Sequence, residues 1–107
     1  MREIEYRLRA EIDIDGTITY QAVVLGSSSA ARATADAIFS AIERVAMFPE
    51  SGKPVFDDAL EQGGYRKVLA KRHWIYYTYS AETLTVWRVV HETQDVDEFG
   101  FDVFEDR

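Results

Sequence analysis

The stretch YRKVLAKRHWIYYTYSAETLTVWRVVH, residues 65–91, decides the fold. It holds three strand-forming runs, Tyr65 to Ala70, His73 to Tyr79 and Leu84 to His91, rich in β-branched and aromatic side chains. The middle run carries Trp74, Tyr76, Tyr77 and Tyr79. Lys71-Arg72 and Ser80 to Thr83 separate the runs and have hairpin length, so the strands pair antiparallel. The same stretch carries a surplus of positive charge. Residues 63–91 are net +4, against −5 for residues 1–62 and −6 for residues 92–107, in a chain of net charge −7.

Working outward, Ile4 to Leu8 alternates apolar and polar residues, the pattern of a half-buried strand. Ala10 to Leu25 reads both ways. Ile18, Thr19, Tyr20, Val23 and Val24 favour a strand, with Asp15-Gly16 as a turn, yet Ile14, Ile18, Ala22 and Leu25 fall at helical spacing. After Gly26, the serines 27–29 are good helix caps. Ala30 to Phe48 then reads as the best helix, with Ala31, Ala35, Ile38, Ile42 and Val45 as its apolar stripe, broadened by Phe39 and Ala46. Pro49 stops it, and Glu50 to Pro54 is a turn. Val55 to Gly64 is a polar connection. The stripe of the long helix supplies the cover that the sheet needs. The expectation is one α+β domain over residues 1–95, followed by an acidic tail, 96–107.

Composition excludes several classes. There are no cysteines, hence no disulfide framework and no thiolate metal site. Ala22 to Leu25 is too short for a signal-peptide core or membrane span, so a cytoplasmic location with no membrane contact is expected. The acidic balance argues against strong direct nucleic-acid binding. No phosphate loop, nucleophile elbow or helical metal-ligand pair is present, and no cofactor is expected. A metal site from His73, His91 and Asp95 lacks a spacing signature, so none is expected.

One constellation has chemical meaning. Arg66, Tyr77, Arg88 and His91 lie on the three strands. Cleavage of a phosphodiester by a ribose hydroxyl needs a base, an acid and cations around the phosphate, and these residue types supply them. Strand parity counts against it: Arg88 and His91, three positions apart, point to opposite faces unless a bulge or the strand end intervenes. The alternative reading makes Arg88 a paired charge and Tyr77 a core residue with its hydroxyl at the rim. The aromatic run is better explained as core filling than as a base-stacking platform.

The residues also carry a resemblance. Ala41 to Pro54, with its Phe48-Pro49-Glu50-Ser51-Gly52 turn, resembles the helix end and turn of the RelE/ParE toxin superfamily. Gly64-Tyr65-Arg66-Lys67-Val68, Ile75-Tyr76-Tyr77 and Thr83 to His91, followed by Asp95, resemble its three closing strands. The resemblance spans about Tyr6 to Asp95 and is nearer to ParE-like plasmid-stabilisation toxins. It implies an N-terminal strand, a two-helix hairpin and a three-stranded antiparallel sheet packed on the helices. It therefore implies a helix over Asp13 to Leu25. It further implies a toxin of a type II toxin–antitoxin pair, neutralised by a cognate antitoxin, as a homodimer or a heterotetramer with antitoxin. ParE-like members bind DNA gyrase and are not enzymes; RelE-like members are ribosome-dependent messenger endoribonucleases. On the resemblance, Arg66, Lys67, Lys71, Arg72 and Arg88 would contact target or antitoxin. The chain departs from ParE relatives at Thr78, where an arginine is usual, and at Glu92, Thr93 and Gln94, where basic residues are common. These departures bear on toxicity and on the nuclease reading more than on the fold, and leave open a non-toxic interaction module.

Overall fold

The computed structural model describes residues 1–55 and 63–94. Strand β1 (Glu3–Tyr6) leads into helix α1 (Leu8–Thr19), which widens into a five-residue π-helical segment, Tyr20–Val24. Helix α2 (Ser28–Met47) follows, then a 3-10 turn at Pro49–Ser51 and the two-residue strand β2 (Lys53–Pro54). Strands β3 (Arg66–Ala70), β4 (His73–Tyr79) and β5 (Thr83–His91) complete the order. The acidic tail, and most of the 55–64 connection, lie outside the described residues.

The expected three-stranded antiparallel sheet exists, but it is the centre of something larger. The sheet has five strands in the order β1-β5-β4-β3-β2 and is mixed. β1 joins β5 in parallel, Ile4 opposite Leu84 and Tyr6 opposite Val86, while β2 pairs antiparallel with β3. The helical hairpin carries the chain from β1 at one edge of the sheet to β2 at the other. Three apolar runs with short connectors reveal adjacent pairing but not a partner about eighty residues away.

Ala10 to Val24 is helical, with Leu25 as the cap, and Asp15-Gly16 lies inside α1 rather than in a turn. Ala10 and Ile14 are buried against α2 and the sheet, with Ile18 packed beside them, so tertiary packing overrides the strand propensity of this segment. The helix begins at Leu8, earlier than the resemblance implies, because β1 ends at Tyr6. Gly26 ends the hairpin's first arm at φ +64°, a left-handed cap position where glycine avoids the Cβ penalty. Ser27 Oγ accepts from the Ala30 N–H at 3.1 Å and caps α2, as the serine run predicts.

Ile38, Ile42 and Val45 are fully buried, as the stripe predicts. Thr34 is buried in place of Ala35, and Phe39 lies off the stripe, edge-on to Tyr6. The main core joins these residues to Ile75, Tyr77, Leu84, Val86 and Val89. Deleting the Ile42 side chain to alanine would cost about 2–5 kcal/mol. The other sheet face carries a smaller core of Val55, Tyr65, Tyr76 and Val90, flanked by Trp74 and Trp87. Among the described residues no helix is long and apolar enough to cross a membrane.

Candidate functional site

At one end of the β3–β4 hairpin, the turn after α2 folds back onto the sheet. The buried Tyr77 hydroxyl donates to the Pro49 carbonyl and accepts from the Gly52 N–H at 3.1 Å. Burial pushes the Tyr77 phenol above its ordinary range, so it stays protonated and is a poor base at neutral pH. Arg66, register partner of Tyr77, donates to the Gly52 carbonyl from Nε at 3.0 Å and Nη2 at 2.6 Å. Its Nη2 also donates to the Glu50 carbonyl at 3.2 Å. Glycine at position 52 is a steric requirement: a Cβ there would lie 2.1 Å from Tyr77 Oη and 2.9 Å from the Lys67 carbonyl oxygen. Two of the four residues of the nuclease constellation thus hold a turn in place.

Arg88 is engaged elsewhere. Its Nε meets Asp13 Oδ2 at 2.7 Å, with both side chains mostly buried. Asp13 Oδ2 also accepts from the Val89 N–H at 3.0 Å. β1 stops opposite Val86, so Asp13 of α1 serves the strand edge that β1 leaves open. A bulge at Trp87 shifts the register, pairing Tyr76 with Arg88 and Tyr77 with Val86. The bulge precedes Arg88, so the parity of Arg88 and His91 is preserved and they do not converge.

His91 is at the far end, paired across strands with His73, their rings edge-on at 5.4 Å. His91 Nδ1 is 2.9 Å from Thr93 Oγ1. Four residues of β4, roughly 13 Å, separate this end from Tyr77. The structure therefore brings Arg66 and Tyr77 together and leaves Arg88 and His91 apart from them. His73 and His91 do meet, but Asp95, the third residue considered for a metal, lies outside the described residues.

The five basic residues expected to contact target or antitoxin lie in different surroundings. Lys67 is buried on the outer face, its ammonium 4.6 Å from the Trp74 ring centre, with Lys53 at 4.8 Å from the same ring. Lys71 and Arg72 form the exposed two-residue tip between β3 and β4, where Arg72 pairs with Glu92 at 3.0 Å. Of the five predicted contact residues, Lys71 and Arg72 are the exposed ones among the described residues.

Beside that tip, α1, the π-helical segment, α2 and the end of β5 enclose an open cleft of about 980 Å³. Ile12, Gly16, Tyr20, Gln21 and Thr34 line it together with His73 and His91. Sequence reasoning missed this site. Its only early signal was Gly16, which interrupts an otherwise helical pattern. His73 is 7% exposed, and its pKa is held below the ordinary value of 6.5, first by burial and then by the neighbouring His91.

The sequence profile described as "ParE toxin of type II toxin-antitoxin system, parDE" matches residues 4–96. The chain belongs to this ParE toxin family. The family is one half of a toxin–antitoxin pair, so a cognate antitoxin is its implied partner. A solved structure described as "Chromosomal ParDE TA system from P. aeruginosa" has the same fold as this ParE-family chain. Its TM-score is 0.66 at 13% identity, over 85% of this chain and 96% of that chain. No curated protein matches.

Proposed function

We propose that this ParE-family chain is a non-enzymatic toxin that, when free of its antitoxin, acts by binding DNA gyrase. The observation that carries this reading is the engagement of Arg66 and Tyr77 with the Pro49–Gly52 turn. A nuclease would need those groups turned toward a phosphate. Here they satisfy backbone groups of the fold, and Arg88 is committed to Asp13. An acidic chain also suits a protein target better than RNA. The contact with target or antitoxin is assigned to the exposed tip, Lys71 and Arg72, rather than to all five basic residues. The antitoxin-bound form is a heterotetramer or a complex built on a homodimer, and the wider kinship is to the RelE/ParE superfamily.

The test is expression without antitoxin, followed by assay for gyrase–DNA cleavage complexes and for cut messages. Gyrase complexes with intact messages are expected. Cut messages without gyrase complexes would replace this reading with the RelE-like endoribonuclease. Normal growth with neither product would make the chain a non-toxic interaction module.

A further inference from the structure

The two-residue tip between β3 and β4 carries backbone strain at Lys71. Its φ is +53°, a conformation that a residue with a Cβ disfavours. Two-residue hairpin loops place Gly, Asn or Asp where φ is positive. The backbone around Lys71 holds it there: Ala70 pairs with His73, and the Glu92 N–H donates to the Arg72 carbonyl at 2.7 Å. A strained residue held this firmly points to a use for its side chain, not to turn propensity.

Lys71 offers that side chain to solvent. It is exposed and has no ion pair among the described residues. Arg72, also exposed, already holds one carboxylate, Glu92 Oε1 at 3.0 Å. Such a surface pair is weak enough to exchange for an outside carboxylate. Both tip residues line the cleft described above. Asp13 lines it too, but is neutralised by Arg88 at 2.7 Å, so the local charge is positive in a chain of net charge −7. The wall beside the tip is apolar: Ile12, Tyr20 and Leu25 are 53%, 54% and 58% exposed. Gly16 lies in this wall, and a Cβ built on it would meet nothing within 4 Å.

We propose that the Lys71-Arg72 tip is a carboxylate-recognition finger, which takes an acidic segment of a partner protein whose apolar side chains enter the adjoining cleft. This rests on the assignment of the tip as a contact surface and names the chemistry that it reads. Nucleic-acid phosphates fit less well. Two tip cations on an acidic chain make no footprint for a phosphate backbone, and phosphates would leave the apolar wall uncovered.

The probe is a synthetic peptide of Glu, Leu and Ser, with counterparts in which Gln or Lys replaces Glu. Each is titrated into the nitrogen-15-enriched full chain. The Glu peptide is expected to shift the amide signals of Gly16, Tyr20, Lys71 and Arg72, and to leave Ala81, at another cleft near Met1, in place. The Gln peptide should bind about tenfold more weakly, and salt should weaken the Glu peptide alone. Lys71→Gly should weaken Glu-peptide binding about threefold while the melting temperature holds or rises, because glycine relieves the positive φ. Arg72→Gln should weaken it by a similar factor. Equal binding of the Glu and Gln peptides, no shift at the tip, or binding unchanged in both variants would overturn the proposal. A melting temperature that falls in Lys71→Gly would also overturn it, by giving Lys71 a structural role. So would an oligouridine that shifts the same amides at lower concentration than the Glu peptide, by giving the tip to phosphate. No gyrase is present in the titration, so its outcome is independent of whether gyrase is the target.

Discussion

The two ends of the β3–β4 hairpin use the same kinds of residue in opposite ways. At the turn end, Tyr77 and Arg66 meet the backbone of Pro49, Glu50 and Gly52, and the close packing leaves no space even for a methyl group at Gly52. At the cleft end, His73 is buried and Gln21 half-buried beside an open space, and His73 Nδ1 and Gln21 Oε1 have no hydrogen-bond partner among the described residues. Polar residues in the first region complete the fold. Those in the second region include two side-chain atoms that the described fold leaves unpaired.

The largest expected effect is at the turn end. Gly52→Ala drives a Cβ into Tyr77 Oη and the Lys67 carbonyl, and neither can yield without breaking a buried hydrogen bond. Overpacking and lost bonding together should cost about 3 kcal/mol, read from denaturant unfolding. A loss below about 1 kcal/mol would mean that the turn is far less rigid than the geometry requires. Tyr77→Phe comes next. It removes no packing but leaves the Gly52 N–H and the Pro49 carbonyl without their partner, for about 2 kcal/mol.

The cleft end should respond to protons instead. His73 has a folded pKa below its ordinary 6.5, because burial and His91 both disfavour its charged form. The unfolded chain therefore binds the proton more tightly. The stability contribution is fully present above about pH 6.5 and is lost as pH falls from there through the folded pKa. The difference in unfolding free energy between wild type and His73→Gln should change over that window, by no more than about 1.4 kcal/mol per pH unit. A flat difference would mean that His73 is not held neutral. The smallest effect is expected of Arg72→Ala, whose exposed pair with Glu92 contributes less than about 1 kcal/mol.

The contrast also marks what could be read from the sequence. β4 was legible to the residue, since its aromatic run has no other reading, and α2 was legible because its stripe and its Ser27 cap agree. Adjacent pairing of β3, β4 and β5 followed from connector length. The parallel β1–β5 pairing was not legible, because nothing local to Glu3–Tyr6 names a strand at Thr83–His91. Site residues divide in the same way. Arg66, Tyr77, Arg88 and His91 could be placed on strands, but their partners could not. Asp13 lies 75 residues from Arg88, and Gly52 lies 25 residues from Tyr77. Chemistry read from residue type therefore suggested a nuclease set, whereas tertiary contacts assign three of the four side chains to the fold.

That assignment is tested most directly by gyrase inhibition with the Tyr77→Phe variant, measured beside wild type where circular dichroism shows both fully folded. Wild type and variant are predicted to inhibit supercoiling equally, with messages left intact. A folded variant whose activity falls by about a hundredfold, the effect of removing a general acid or base, would contradict the account. So would a wild-type chain that leaves gyrase untouched and cuts messenger RNA.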